Sequence, residues 1–316
     1  MLYVTTRNKH DVYTAYSTLC RDCGHDGGLF VPFRFPDAFV WDPEEWSRYT
    51  FGERVAKILN LFYRSQLKGT DVDFCVGRTP ARLVPMFHRI YVGELWHNAR
   101  WSLSAAEENL AALLMSEGKQ PDHVGNWTKI AVRMALLFGL FGDLAALGHF
   151  NDGKTVTVAV ASRDFTSLVA VWYARRLGLP VGCIVCGCEE DSTVWDLLHQ
   201  GAFSTRAGEI PANLERLICS AVGFEEAAAF RDVCSRGGIY APVKTVCEKL
   251  REGLFAAVIS DVRLKATAGK VYHTNKYLMG QETTLAFAGL QDYRSDTFET
   301  GCALILCEEI PAASAE

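Results

Sequence analysis

The segment from Ser162 to Ser167 carries the residues that are best placed in this sequence to bind a ligand. It follows the run Thr155 to Val160, whose β-branched residues and two apolar faces are typical of a buried strand. An apolar helical pattern comes next and ends at Gly178. Open α/β sheets bind ligands where a strand turns into a helix. The sequence therefore predicts a site lined by Ser162 to Ser167, in which Arg163 could attract an anion.

Cysteine is the second residue type with chemical potential, and the chain has 11 of them. Two groups have the spacing of metal ligands: Cys20, Cys23 and His25, and Cys183, Cys186 and Cys188. A zinc site needs four convergent ligands, and no second pair completes either group at a typical spacing. We therefore expect no metal and interpret the cysteines as reduced thiols, most of them buried like small hydrophobic residues.

Cys188 is a weak candidate for a nucleophile. It precedes Glu189 and Glu190, and neighbouring carboxylates raise the pKa of a thiol, away from the reactive thiolate. The sequence contains no GxGxxG, GxxxxGK or GxSxG motif, so nucleotide-binding and hydrolase functions lack support.

The elements around this segment indicate an α/β fold. A second strand, Val181 to Cys186, follows the helix, and such strand–helix–strand units cross over into a parallel sheet. A long apolar pattern over Trp127 to Leu147 predicts a deeply packed helix. We expect Pro36 to Trp46 to be a loop and Phe74 to Val76 a weak strand. Further strands are predicted at Leu2 to Thr6, Ile90 to Leu95, Phe255 to Ile259 and Ala303 to Cys307.

Composition restricts the class of partner. The 316 residues are 49% hydrophobic and 22% charged, with a formal net charge of −5. That balance predicts neither nucleic-acid nor acidic-membrane binding. The longest apolar run, Met134 to Leu147, is interrupted by Gly139, Gly142 and Asp143, and the N-terminus has no apolar signal core. A cytoplasmic location is the simplest expectation.

Seven short segments carry a family resemblance through their shared order: Tyr3 to Arg7, Asp26 to Pro32, Glu94 to Arg100, Asn126 to Lys129, Ala174 to Pro180, Tyr277 to Ala286 and Leu304 to Ala312. Each is similar to a segment of threonine synthase, a lyase that uses pyridoxal phosphate (PLP). The resemblance implies a three-layer α/β fold with a parallel-sheet core, like that of the tryptophan synthase β chain. It also implies conversion of O-phosphohomoserine to threonine. In this comparison His97 and Thr283 are remnants of family motifs.

The chain departs from the family at the residue that carries the cofactor. PLP chemistry requires a lysine amine for the Schiff base. Aligned without gaps, the family's lysine position falls on Ser104, and serine cannot form an imine. No lysine lies between His97 and Met115; the next are Lys119 and Lys129.

The family's glycine-rich phosphate loop has also changed. Backbone N–H groups of such a loop wrap a phosphate. Only the phenylalanine is kept among the five aligned positions, which are Arg163, Asp164, Phe165, Thr166 and Ser167. Asp164 would repel a phosphate and suits the N-cap of the following helix, whereas Arg163 could still attract an anion.

Much of the family's small domain has no counterpart, because a helix over Ser102 to Ser116 leads through a short loop to Asn126. We expect an N-terminal region over 1–100, a remnant of the lysine helix and deleted small domain over 101–126, and the main α/β domain over 127–316. Loss of one domain exposes apolar surface. Self-association, or pairing with another protein, is therefore predicted.

Three functions are compatible with these observations, and fold alone does not separate them. The favoured one is a pseudoenzyme without catalytic residues or cofactor, which binds a small anion or a protein. The second is an active PLP-dependent threonine synthase with an unforeseen lysine or one from a partner subunit. The third is a new enzyme without PLP that uses Arg163, Asp164 or Ser104.

Overall fold

The computed structural model describes residues 1–37, 39–77, 81–96, 102–115, 121–150, 153–162 and 165–311. Their strands are β1 (Leu2–Thr5), β2 (Tyr13–Thr14), β3 (Phe30–Pro32), β4 (Arg82–Pro85), β5 (Ile90–Glu94), β6 (Val156–Ala161), β7 (Val181–Cys188), β8 (Phe203–Thr205), β9 (Gly238–Tyr240), β10 (Leu254–Val258) and β11 (Ala303–Cys307). Their α-helices are α1 (Pro43–Arg48), α2 (Phe51–Tyr63), α3 (Gly69–Val76), α4 (Leu103–Met115), α5 (Asn126–Ala146), α6 (Thr166–Arg176), α7 (Thr193–His199), α8 (Ala212–Val222), α9 (Phe224–Arg236), α10 (Lys244–Arg251), α11 (Asp261–Asn275) and α12 (Gln281–Thr297).

A six-stranded sheet organises the fold, with the strand order β10-β7-β6-β11-β5-β4. Neighbouring strands are parallel except at the edge, where β4 pairs antiparallel with β5. The predicted α/β class is confirmed, and the sheet is mixed but mostly parallel. The five parallel strands end at a common edge, here called the carboxyl edge.

Helices cover both faces of this sheet and make three layers. Alternate residues of β11 face opposite layers, as the pleat requires. Leu304 and Leu306 belong to the same buried cluster as α5 and α6. Ile305 and Cys307 pack on the other face with residues of α12 such as Phe287. Because helices cover both faces of the sheet, the sequences of its central strands are continuous apolar runs.

The N-terminal region has its own small antiparallel sheet, β2-β1-β3. The loop predicted over Pro36 to Trp46 is partly wrong, because α1 begins at Pro43. The Asp42 carboxylate accepts from the Glu44 and Glu45 N–H groups and caps this helix. The strand predicted over Phe74 to Val76 is wrong, since these residues finish α3. Only Val76 of the three is buried, so their apolar side chains do not indicate a strand.

The long helix expected over Trp127 to Leu147 is confirmed as α5, whose apolar residues are almost all buried. The helix α4 ends at Met115, and α5 begins at Asn126, so the connection between them is short. None of the helices in the described ranges combines the length and apolar character needed to cross a bilayer.

Candidate functional site

Polar side chains gather at the carboxyl edge, on both sides of the end of β11. The strand ends at Cys307, and the next residue, Glu308, turns to the layer of α5 and α6. Cys307 itself faces the layer of α12. The edge therefore has two groups of side chains, separated by the central strand.

The first group is centred on Arg133 of α5. Its Nε donates to Glu107 Oε1 at 2.7 Å, and its Nη1 donates to Glu308 Oε2 at 2.7 Å. Nη1 also donates to the hydroxyl of Ser167 at 3.0 Å. These contacts join α4, α5, the first turn of α6 and the end of β11. We call Arg133, Glu107, Glu308 and Ser167 the Arg133 cluster.

The Arg133 cluster is largely closed to water. The side chains of Arg133 and Glu107 are 10% and 6% exposed, and that of Glu308 is 22% exposed. One guanidinium thus faces two carboxylates in a medium of low dielectric constant, where such attraction is strong. The guanidinium of Arg133 is thus already paired with two carboxylates of the chain.

The second group surrounds the buried Cys307. Thr283 Oγ1 donates to Cys307 Sγ at 3.1 Å, and Trp96 Nε1 does so at 3.4 Å. Burial raises the pKa of the Cys307 thiol, although these hydrogen bonds oppose the effect. Thr283, predicted as a family remnant, therefore lies at the carboxyl edge but in contact with a neutral thiol.

A buried carboxylate lies beside this second group. Tyr277 Oη donates to Glu94 Oε1 at 2.7 Å, and the Arg82 guanidinium contacts the other carboxylate oxygen. Glu94 is 1% exposed, so these two partners replace its lost hydration. Burial, with the nearby Cys307 and Glu94, raises the pKa of Tyr277 strongly and keeps its hydroxyl a donor.

The first turn of α6 is held from two sides. Ser167 belongs to the Arg133 cluster, while the hydroxyl of Thr166 accepts from Asn213 Nδ2 of α8 at 2.8 Å. Both residues are buried. Phe165 is the N-cap, with φ 58° and ψ 1°, and its own side chain makes no capping hydrogen bond. The prediction that Asp164 caps the helix falls on a residue outside the described part of the chain.

Ser104 is exposed on the first turn of α4. It lines a cavity of about 200 Å³ together with Glu107, Glu108, Pro121, Asp122, His123, Val124 and Lys129. Among the described residues that line this cavity, Lys129 is a half-buried lysine. The predicted residues His97, Arg163 and Asp164 lie outside the described part of the chain.

The cysteines remain free thiols, and 7 of the 11 are buried. In the described ranges, no three His, Cys, Asp or Glu side chains converge as metal ligands would. The expected rise in the pKa of Cys188 is wrong: hydrogen bonds from the Cys186 thiol, then from Ser192 and Ser162, lower it. The thiol is 0% exposed, so a substrate has no access to it.

At the positions that the family resemblance assigns to the cofactor, the described residues do not fit PLP. A hydroxyl stands at the aligned lysine position of α4, and it is directed to an outer cavity. A phosphate placed beside Ser167 would meet the carboxylates of Glu107 and Glu308, which already neutralise Arg133. The negative charges of the phosphate and of these carboxylates would repel each other strongly where water is excluded.

Sequence reasoning did not find Arg133, Glu107, Glu308 or Tyr277. Glu308 carried a signal, because a carboxylate directly after a buried parallel strand lies at the carboxyl edge. Arg133 carried a weaker one, as a charge within the most apolar helix of the chain.

Comparison with known proteins identifies sequences that are similar to this chain. The family model described as Threonine synthase N terminus matches residues 2–79. Human threonine synthase-like 1 is 22% identical over 176 residues, which are 51% of this chain and 24% of that protein. Mouse threonine synthase-like 2 is 23% identical over 195 residues, 58% of this chain and 39% of that protein. The chain thus spans only a quarter to two fifths of these curated relatives.

Solved structures extend the similarity to the whole chain. PLP-bound threonine synthase from Brucella melitensis superposes with a TM-score of 0.79 at 16% identity, covering 100% of this chain and 93% of that one. Yeast threonine synthase gives a TM-score of 0.80 at 15% identity, covering 98% and 87%. The fold expected from the sequence resemblance, that of the PLP-dependent threonine synthases, is therefore confirmed.

Proposed function

We propose that this relative of threonine synthase is a pseudoenzyme of the cytoplasm, which has lost PLP-dependent lyase activity and instead binds a small anion or another protein chain. The observation that carries the proposal is the Arg133 cluster. Its arginine is held by Glu107 and Glu308 at 2.7 Å each, beside the first turn of α6. An intramolecular ion-pair network stands where the family resemblance expects a phosphate.

The position of Ser104 supports the same conclusion. A Schiff base requires an amine, and a hydroxyl cannot supply it. Loss of the amine alone would leave a phosphate site behind, and loss of the phosphate site alone would leave a reactive lysine. Both differences occur together, on different elements, which favours the loss of the reaction rather than its adjustment.

A second candidate is an active threonine synthase that converts O-phosphohomoserine to threonine. Lys129 favours it, because this half-buried lysine of α5 lines the same cavity as Ser104. Under this alternative, the amine that binds PLP comes from α5 instead of α4.

An absorption spectrum separates the two candidates. The purified protein is mixed with PLP and then reduced with borohydride, and adducts are located by mass spectrometry. The pseudoenzyme predicts no visible imine band and no adduct at Lys129 above that of the exposed Lys9. A band that disappears in Lys129→Met but persists in the matched control Lys9→Met would establish the active enzyme.

The protein-binding part of the proposal rests on the domain organisation. We propose that 1–100 is the N-terminal region, 101–126 the remnant of the lysine helix and deleted small domain, and 127–316 the main domain. On α3, which packs against α4, the side chain of Phe74 is 89% exposed. Such an exposed aromatic ring beside the shortened region is suited to contact a second chain.

Light scattering tests this part. Self-association should weaken in Phe74→Ser but not in the control Phe298→Ser, at the C-terminal end of α12. That result supports contact through α3. A wild-type protein that stays monomeric at 100 µM or so would remove self-association from the proposal.

A further inference from the structure

Arg216 of α8 is a fully buried charge with a donor that has no hydrogen-bond partner among the described residues. Its side chain is 0% exposed. Nε donates to the carbonyl of Phe30 at 3.0 Å, and Nη1 donates to the side-chain oxygens of Asn126 and Asn213. Nη2 is buried and has no hydrogen-bond partner. An unpaired donor on a buried cation costs more than a neutral one, because charged groups lose the most hydration.

Arg54 and Arg133, two other arginines with little exposure, show what Arg216 lacks. Arg54 is 3% exposed and pairs with Asp143, besides donating to the carbonyl of Gly139. Arg133 pairs with two carboxylates. In the described part of the chain, no carboxylate lies within 4.0 Å of the Arg216 guanidinium, and its three acceptors are all neutral.

The surroundings of Arg216 combine two helix N-termini with carboxylates at a longer range. Asn126 is the first residue of α5 and Asn213 the second of α8, so the guanidinium lies at two helix N-termini. Glu215 and Asp22 attract it from a longer range, but each has partners of its own: Thr6 for Glu215, and His123 with the Asn126 N–H for Asp22. Burial lowers the pKa of Arg216 to about 10, so it stays charged at neutral pH.

We propose that a small monovalent anion such as chloride binds inside the protein at Nη2 of Arg216, between the N-termini of α5 and α8. The anion supplies the acceptor that Nη2 lacks and neutralises the guanidinium. Its small size follows from the complete burial of Arg216 and its near-complete set of protein contacts.

This anion would be structural. Arg216 joins the carbonyl of β3 to α5 and α8, and Asn213 continues the network to Thr166 at the start of α6. Binding would therefore hold the N-terminal region against the main sheet. The inference concerns a different position from the Arg133 cluster, and it applies equally to a pseudoenzyme and to an active enzyme.

Bromide locates the site directly, because it replaces chloride and scatters anomalously. Crystals of the full chain are soaked in sodium bromide, and an anomalous peak is expected at hydrogen-bond distance from Arg216 Nη2. A water molecule there, with no anomalous signal, overturns the proposal.

Thermal unfolding measures the effect in solution. At constant ionic strength, replacing gluconate with 200 mM chloride should raise the Tm by about 2–4 °C. The variant Asn126→Asp places a carboxylate beside Nη1 and should abolish this chloride dependence while keeping the protein folded. The control Asn275→Asp adds the same charge on α11 and should retain the dependence.

An equal chloride response in both variants contradicts the inference, as does a wild-type protein whose Tm is the same in gluconate and chloride. Arg216→Met removes the cation itself and should also lose the response. Because Asn126→Asp reports on the same site without removing the arginine, the test stands even when Arg216→Met does not fold.

Discussion

The carboxylate of Glu308 lies 2.7 Å from the guanidinium of Arg133, and this contact joins the end of the central strand to the most buried helix. Ser167 completes the link to α6. At this edge, where open α/β sheets usually bind ligands, described charges of the chain pair with one another. The contact is structural, and its loss should be visible in stability.

Replacing Arg133 by methionine should destabilise the protein by about 3–5 kcal/mol, since it leaves the 6%-exposed Glu107 as an unpaired buried charge. Urea denaturation measures the difference. Adding Glu107→Gln to the variant should recover part of the loss. The control Arg48→Met, at an exposed ion pair with Glu44, should change stability by less than about 1 kcal/mol. Similar losses in both single variants would contradict the interpretation.

Ser104→Lys should not create a PLP enzyme. The new amine would extend from an exposed position of α4, while Glu107 and Glu308 still oppose a phosphate. We expect no visible imine band after addition of PLP, and borohydride labelling at 104 no greater than at exposed lysines. A saturable band with specific labelling at 104 would show that the lysine alone was missing.

His149 should make stability fall in acid. Its Nε2 lies 2.7 Å from Tyr91 Oη, and burial, then Arg89, lowers its pKa from the ordinary value of 6.5. As the pH falls below about 6.5, His149 binds a proton in the unfolded chain before it does so in the folded protein. The free energy of unfolding therefore decreases as the pH falls below this value. Urea midpoints at several pH values between 8 and 5 measure the change. His149→Gln should lack this component, and identical pH profiles for the two proteins would rule it out.

Two glycines should respond oppositely to alanine. A Cβ at Gly187 of β7 would lie 2.1 Å from the carbonyl oxygen of Leu285 in α12, so Gly187→Ala should cost about 3 kcal/mol. A Cβ at Gly269 of α11 meets nothing within 4 Å, so Gly269→Ala should stabilise by about 0.5–1 kcal/mol. Chemical denaturation compares them. Equal tolerance of both changes would mean that α12 does not pack so closely on the sheet.

Strong periodic signals allowed most of the six-stranded sheet to be predicted. The strands β6, β7, β10 and β11 are apolar runs because helices cover both faces of the sheet, and α5 is long and apolar because it is buried. Short elements were not predicted from the sequence, and the reason is physical. The helix α7 has only 7 residues, and its start depends on one hydrogen bond from the Trp195 N–H to the Ser192 hydroxyl.

The candidate site could be predicted only in part. Ser167 follows a recognisable strand–helix turn, so its location at the carboxyl edge was accessible from the sequence. Arg133 and Glu308 are 175 residues apart, and a single sequence contains no signal that two such distant charges pair. The missing partner of Arg216 Nη2 was also inaccessible, since it depends on how β3, α5 and α8 meet.

The central strand is also the last strand of the described chain. β11 lies between β5 and β6 in the sheet. During synthesis on the ribosome, β5 and β6 therefore keep unpaired edges until residues 303–307 emerge. Nascent chains with such open edges are prone to pair wrongly with one another. Production of this protein in cells should therefore depend on chaperones that protect the growing chain until β11 has been synthesised.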